Sequence, residues 1–157
     1  LKTVKLMSRV VEESEQTLKG RTHHTVKDRP ETTREIICKN VWQAARDSEA
    51  EYIVAHTSSG STARNISKFK PKTPIIAFAD SEQVERQLQL VWGVNPYYQE
   101  FPDDVEEMLE ASAERMKTLN YAEDETELVI SAGIPTRVTG TTNMLQIRTV
   151  ESILEED

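Results

Sequence analysis

The run His56-Thr57-Ser58-Ser59-Gly60-Ser61-Thr62 places five hydroxyl side chains and one glycine within seven residues. Hydroxyls and free backbone N–H groups bind oxyanions, and a glycine lets the backbone approach one closely. Arg64 and Lys68 follow soon after. The chemistry suggested is the cradling of one phosphate group, with no nucleophile in evidence. Ser, Thr and Gly also serve as caps and turn residues, so spacing alone leaves an ordinary strand-to-helix turn open. A second stretch rich in Thr and Gly runs Gly133-Ile134-Pro135-Thr136-Arg137-Val138-Thr139-Gly140-Thr141-Thr142. If it reaches the same edge of a sheet, the two loops together argue for a ligand site more strongly than either does singly.

Other chemistries lack their signatures. There is no P-loop lysine pattern, no G-x-G-x-x-G and no nucleophile elbow, so catalysis by this chain alone is not expected. His23 and His24 are adjacent in a polar connector, where neighbouring side chains need not face one metal, and they read as a solvated pair. Cys38 beside Ile36 and Ile37 reads as a small buried hydrophobe. Asp103, Asp104, Glu106 and Glu107 read as the acidic start of a helix rather than as paired catalytic carboxylates. Trp42 and Trp92 read as core or interface anchors.

Charge narrows the partners. The chain of 157 residues holds 19 Lys and Arg against 27 Asp and Glu, a formal net charge of -8. Nucleic acid and anionic membrane surfaces need clustered basic residues, so neither is expected as a partner. The deficit is uneven: residues 101–157 carry -10 and residues 1–100 carry +2. Between Tyr52 and Ala79 lie Arg64, Lys68, Lys70 and Lys72 and no carboxylate, which makes this region locally favourable to an anion. The longest apolar run, Ile75 to Ala79, is far short of the ~20 residues that span a bilayer, and no signal-like segment opens the chain. A lone Cys38 agrees with a reducing compartment. A soluble, cytoplasmic protein is the expectation.

The elements that must hold these loops follow from periodicity. Val4, Met7, Val10, Val11 and Leu18 make a helical stripe. Asp28 with Glu31, and Pro30 in the first turn, predict the start of a second helix whose buried face is Ile37, Val41, Ala44 and Ala45. Strands are predicted at 52–55, 74–79, 94–98, 127–131 and 143–150. Helices are predicted at 61–69, from about Ser81 (Val84, Leu88, Val91 inward), and after Asp103 or Asp104 (Val105, Met108, Leu109, Met116, Leu119 inward). Crossovers of this length imply parallel neighbours, whereas the loop from Gly133 to Thr142 is too short for one and predicts an antiparallel last strand. The expected fold is α/β: a three-layer open sheet of five strands, mostly parallel with the last antiparallel, helices on both faces.

Specific residues add a resemblance. Thr57-Ser58-Ser59-Gly60-Ser61-Thr62-Ala63-Arg64, then Ile66-Ser67-Lys68-Phe69-Lys70-Pro71, closely resembles the T-x-S-G-x-T-A-R…I-S-K-x-R-P signature of the pyruvate kinase C-terminal domain. Val91-Trp92-Gly93-Val94-Asn95-Pro96, Ala132-Gly133-Ile134-Pro135 and Gly140-Thr141-Thr142-Asn143 fit the same family in order. Thr3 to Glu15 resembles the last helix of that family's catalytic barrel, which divides the chain into a helix over 1–19 and a C-terminal-like domain over 20–157.

The resemblance implies a piece of a bacterial-type pyruvate kinase, and Leu1 in place of an initiator Met fits a piece. Such a piece lacks the barrel and lid and the residues for phosphoenolpyruvate, Mg, K and ADP, so no cofactor is expected in this chain and no activity from it alone. By likeness, Thr57, Ser58, Ser59, Gly60, Ser61 and Thr62 would cradle the phosphate of an allosteric effector. The closing loop, through Arg137, Thr139, Gly140 and Thr141, would cover it. The domain would also join the rest of the kinase chain and contribute to a homotetramer.

Two departures shape the ligand. Relatives that bind fructose 1,6-bisphosphate place a Trp and an Arg near the start of the long helix, where Phe101 and Met108 align here. That favours a sugar monophosphate or AMP. Arg137 stands where many relatives have a small residue, and either replaces the missing charge or faces solvent. The competing expectation is a purely structural oligomerisation domain with no effector.

Overall fold

Short apolar runs alternate with amphipathic stretches from Tyr52 onward, and each becomes a strand or a helix. The computed structural model describes residues 2–18, 31–136, 138 and 140–155. In chain order these are α1 (Lys2–Leu18), α2 (Thr33–Asp47), β1 (Tyr52–His56), α3 (Ser61–Ser67), β2 (Ile75–Ala79) and α4 (Glu82–Leu88). There follow β3 (Val94–Tyr98), α5 (Val105–Thr118), β4 (Glu127–Gly133), β5 (Thr142–Thr149) and α6 (Val150–Leu154).

The strands form one sheet in the order β3-β2-β1-β4-β5. β1 runs parallel to β2 and β4, β2 parallel to β3, and β5 antiparallel to β4. The expected α/β architecture therefore holds, including the antiparallel last strand. Because successive residues of a strand face opposite ways, each strand feeds two cores. Val54, Ile76, Phe78, Leu128 and Ile130 pack with Met108, Leu109, Ala113 and Met116 of α5 and Val150 and Ile153 of α6. Ile53, Ala55, Ile75, Ala77 and Val129 pack with Cys38, Val41 and Ala45 of α2, Ala63 and Ile66 of α3, and Leu88 of α4. Helices thus cover both faces. Each large aliphatic side chain so buried contributes about 1.5–3 kcal/mol before entropic costs.

Two local expectations need correction. The capping box of α2 is Thr32 with Glu35: the Thr32 hydroxyl accepts from the Glu35 N–H at 3.3 Å, and the Glu35 carboxylate accepts from the Thr32 N–H at 2.9 Å. Asp28 and Pro30 lie outside the described residues. A Thr followed three residues on by Glu satisfies two orphan helix N–H groups reciprocally, and this pair adjoins the apolar face it starts. The second correction is at the chain's end. Val150 does not extend β5 but opens α6, capped by Thr149, whose hydroxyl accepts from the Ser152 N–H. The first free N–H groups of α6, from Val150 and Glu151, are taken by the carbonyls of Thr126 and Asp124.

α1 stands apart from this packing. Its Val4, Leu6, Met7, Val10 and Val11 are 52–66 % exposed. Among the described residues no helix is long and apolar enough to cross a membrane.

Candidate functional site

From β1 the chain crosses to β2 and β3 on one side, then returns to add β4 on the other. The loops leaving the carboxyl ends of β1 and β4 therefore diverge around a crevice, which is where open α/β sheets bind ligands. The two Thr- and Gly-rich stretches are these loops.

They meet over one small pocket, with about 20 Å³ of cavity volume open to a water-sized molecule. Thr57, Ser58, Ser59, Ser61 and Thr62 line one side, and Gly140, Thr141 and Thr142 the other. Thr57 and Thr62 are buried, while Ser58, Ser59 and Ser61 are half-buried and reachable. Gly60 does not line the pocket. It turns the chain into α3 with φ of +76°, a left-handed conformation that suits a residue without Cβ. Arg137 and Thr139 lie outside the described residues, as do His23 and His24.

The two sides are fastened together. Thr62 and Thr142 share a hydroxyl hydrogen bond of 2.8 Å, both side chains buried. The Cys38 thiol on α2 contacts the Thr62 carbonyl at 3.8 Å. Thr136 donates to the Asp103 carbonyl at 3.1 Å, fixing the closing loop to the approach of α5. The Asn143 side chain bonds both backbone groups of Ile134, at 2.9 and 2.8 Å, and so holds the base of that loop.

The floor consists of residues that the hydroxyl pattern did not single out: His56, Phe101 and Met108. His56 ends β1, stacks on Phe78 and meets Phe101 edge-on. Its Nε2 lies 2.6 Å from the Ser112 hydroxyl, which donates to the Met108 carbonyl and accepts from the Gln99 amide. Complete burial pulls the imidazole down to about 4, so His56 is uncharged at neutral pH. Met108 is 1 % exposed and belongs to the core. The sequence carried one pointer to Phe101 and Met108, their alignment with ligand-holding positions of relatives. Nothing in the pattern marked His56 as floor.

Of the two cations near the hydroxyl loop, Arg64 serves the loop itself. Arg64 donates to the Ser59 carbonyl at 2.8 Å and to Gln87 at 3.2 Å. Lys68 bonds Asn65 on the exposed face of α3. Arg64 thus shapes the turn of the hydroxyl loop, and neither Arg64 nor Lys68 is among the residues lining the pocket. Asp104 and Cys38 fall where their simpler readings put them, whereas Trp92 is 37 % exposed rather than core. Asp104 caps α5, accepting from the Glu106 and Glu107 N–H groups. Burial raises the Cys38 thiol to about 11, which makes it an unreactive core group. Trp42 stacks on Phe69 with ring centroids 5.5 Å apart.

Residues 35–148 match the model of the pyruvate kinase alpha/beta domain. Pyruvate kinase of Clostridium acetobutylicum is 40% identical over 119 residues, 76% of this chain and 25% of the relative. That of Lactococcus lactis subsp. lactis is 36% identical over 151 residues, 95% of this chain and 30% of the relative. A crystal structure of a pyruvate kinase from Cryptosporidium parvum superposes with a TM-score of 0.71 at 26% identity, over 82% of this chain and 24% of that one. The chain thus spans about a quarter of the length of the relatives it matches.

Proposed function

Because this chain belongs to the pyruvate kinase family, as its alpha/beta domain, we propose that it is a regulatory unit that binds a phosphorylated small-molecule effector, a sugar phosphate or AMP. The observation that carries the reading is the convergence of Thr57, Ser58, Ser59, Ser61 and Thr62 with the Gly133 to Thr142 loop over one pocket at the sheet's switch point. Hydroxyls in that number suit phosphate oxygens, which act mainly as hydrogen-bond acceptors at neutral pH.

Phosphoryl transfer from phosphoenolpyruvate to ADP, with Mg and K, belongs in this proposal to the rest of a longer kinase chain. The role here is differential binding: an effector that fits one arrangement of subunits better shifts the equilibrium toward it, typically by 1–3 kcal/mol of coupling. The exposed apolar residues of α1, Val4, Met7, Val10 and Val11, favour packing against the remainder of that chain, and the domain contributes to a homotetramer.

Isothermal titration of the chain with fructose 1,6-bisphosphate, ribose 5-phosphate and AMP tests the reading. Binding by at least one, lost on Ser59→Ala and Thr62→Ala, supports it. No heat with any of the three overturns it and leaves the structural alternative, for which sedimentation would show a concentration-dependent oligomer indifferent to these ligands.

A further inference from the structure

Among the described residues the pocket is polar without formal charge: no described lining side chain is Lys, Arg, Asp or Glu, and burial keeps His56 neutral. A phosphate monoester carries a charge of about -1.5 to -2 at neutral pH. α3 is seven residues long, too short to offer much of a dipole, and Arg64 and Lys68 are engaged with Ser59, Gln87 and Asn65. Among the described residues, a cation for an anion bound here comes from outside the lining.

Arg34 meets that need. It sits in the first turn of α2, half-buried, and its Nε is buried without a hydrogen-bond partner among the described residues. Its guanidinium lies against Gly140, a lining residue of the closing loop: a Cβ built on Gly140 would come within 2.8 Å of Arg34 Nη2. One turn along the same face of α2, Cys38 touches the Thr62 carbonyl, so this face of the helix is held against the site. Neither feature is explained by stability. A cation in the first turn of a helix opposes its dipole, and a buried donor without a partner is destabilising.

We propose that Arg34 is the cation of this site, its guanidinium engaging the anionic group of a phosphorylated ligand beside Gly140. The proposal rests on the effector-binding reading above. A guanidinium suits the task because its planar fork presents several donors to phosphate oxygens at once. Glycine at 140, with φ of +90°, leaves room for that fork where any side chain would displace it.

The test is titration of the 157-residue chain with ribose 5-phosphate, with inorganic phosphate as competitor, across several salt concentrations. Arg34→Met keeps much of the stem and removes the charge. It should weaken binding about tenfold or more and flatten the salt dependence, while the melting temperature holds or rises. Arg34→Lys should recover part of the affinity, which a merely structural role would not predict, and it keeps the test decisive if Arg34→Met folds poorly. Ligand affinity of both variants within twofold of the parent, with Ser59→Ala abolishing it, overturns this inference alone. A loss confined to Arg137→Met also overturns it. No binding by the parent chain overturns the effector reading and this inference together.

Discussion

The hydroxyls of Thr62 and Thr142 meet at 2.8 Å across 80 positions of sequence, and both are buried. This bond ties the start of α3 to the start of β5 and so joins the two loops around the pocket.

Its removal should be asymmetric. Thr62→Val or Thr142→Val alone leaves the other hydroxyl buried and unpaired, at a cost of about 1–3 kcal/mol. The double variant, with both groups apolar and of similar shape, should cost less than the two singles together. Urea melts of the four chains give the coupling. Strict additivity would mean that the bond contributes nothing.

Gly60→Ala should destabilise by about 1–2 kcal/mol from its left-handed backbone. The added Cβ would come to 2.7 Å from Arg64 Nη1, but that is the end of a flexible side chain and can move. Moving it breaks the 2.8 Å bond to the Ser59 carbonyl, so phosphate-ester affinity should fall as well. Titration beside a thermal melt separates the two effects.

Stability should depend on pH through His56. Its folded value of about 4 lies below the ordinary 6.5 because burial disfavours the charged form. Between these values the unfolded chain binds a proton that the folded chain does not, so stability is full above pH 6.5 and declines as pH falls toward 4. The decline from this group is about 3 kcal/mol. His56→Asn should flatten the slope of unfolding free energy against pH over that window; an unchanged slope would assign it to other groups.

Met108→Ala should cost about 2–5 kcal/mol, as for other large-to-small changes in a packed core. The side chain is 1 % exposed, packs among core residues that include Ile130 and Met116, and also floors the pocket. Thermal melts measure the loss. A cost below 1 kcal/mol would show that the floor collapses onto the vacancy.

Much of the fold was legible because burial on both faces of the sheet demands unbroken apolar strands. Tyr52-Ile53-Val54-Ala55 and Ile75 to Ala79 stand out from the polar stretches around them, and Val94 to Tyr98 falls on the expected residues. The end of β5 was not legible: Val150 is apolar enough to continue a strand, and only the Thr149 cap and the carbonyls waiting at Thr126 and Asp124 turn it into a helix. At the site, the hydroxyls of Thr57 to Thr62 could be read because hydroxyl and glycine density is local. Arg34 could not, since it lies more than 20 residues before that loop and in the polar first turn of a helix.

The amino-acid sequence by itself determined the element order, the antiparallel last strand, the two loops rich in Thr and Gly, and the family whose motifs they carry. These are local properties: apolar period, loop length and side-chain chemistry. The tertiary structure alone decided which side chains share the pocket. It turned Arg64 behind the Ser59 carbonyl, brought His56 and Met108 beneath the hydroxyls, and set the Arg34 guanidinium against Gly140. Charge and hydrogen-bonding capacity are written in the residue, but the direction they face depends on which helices pack across the sheet.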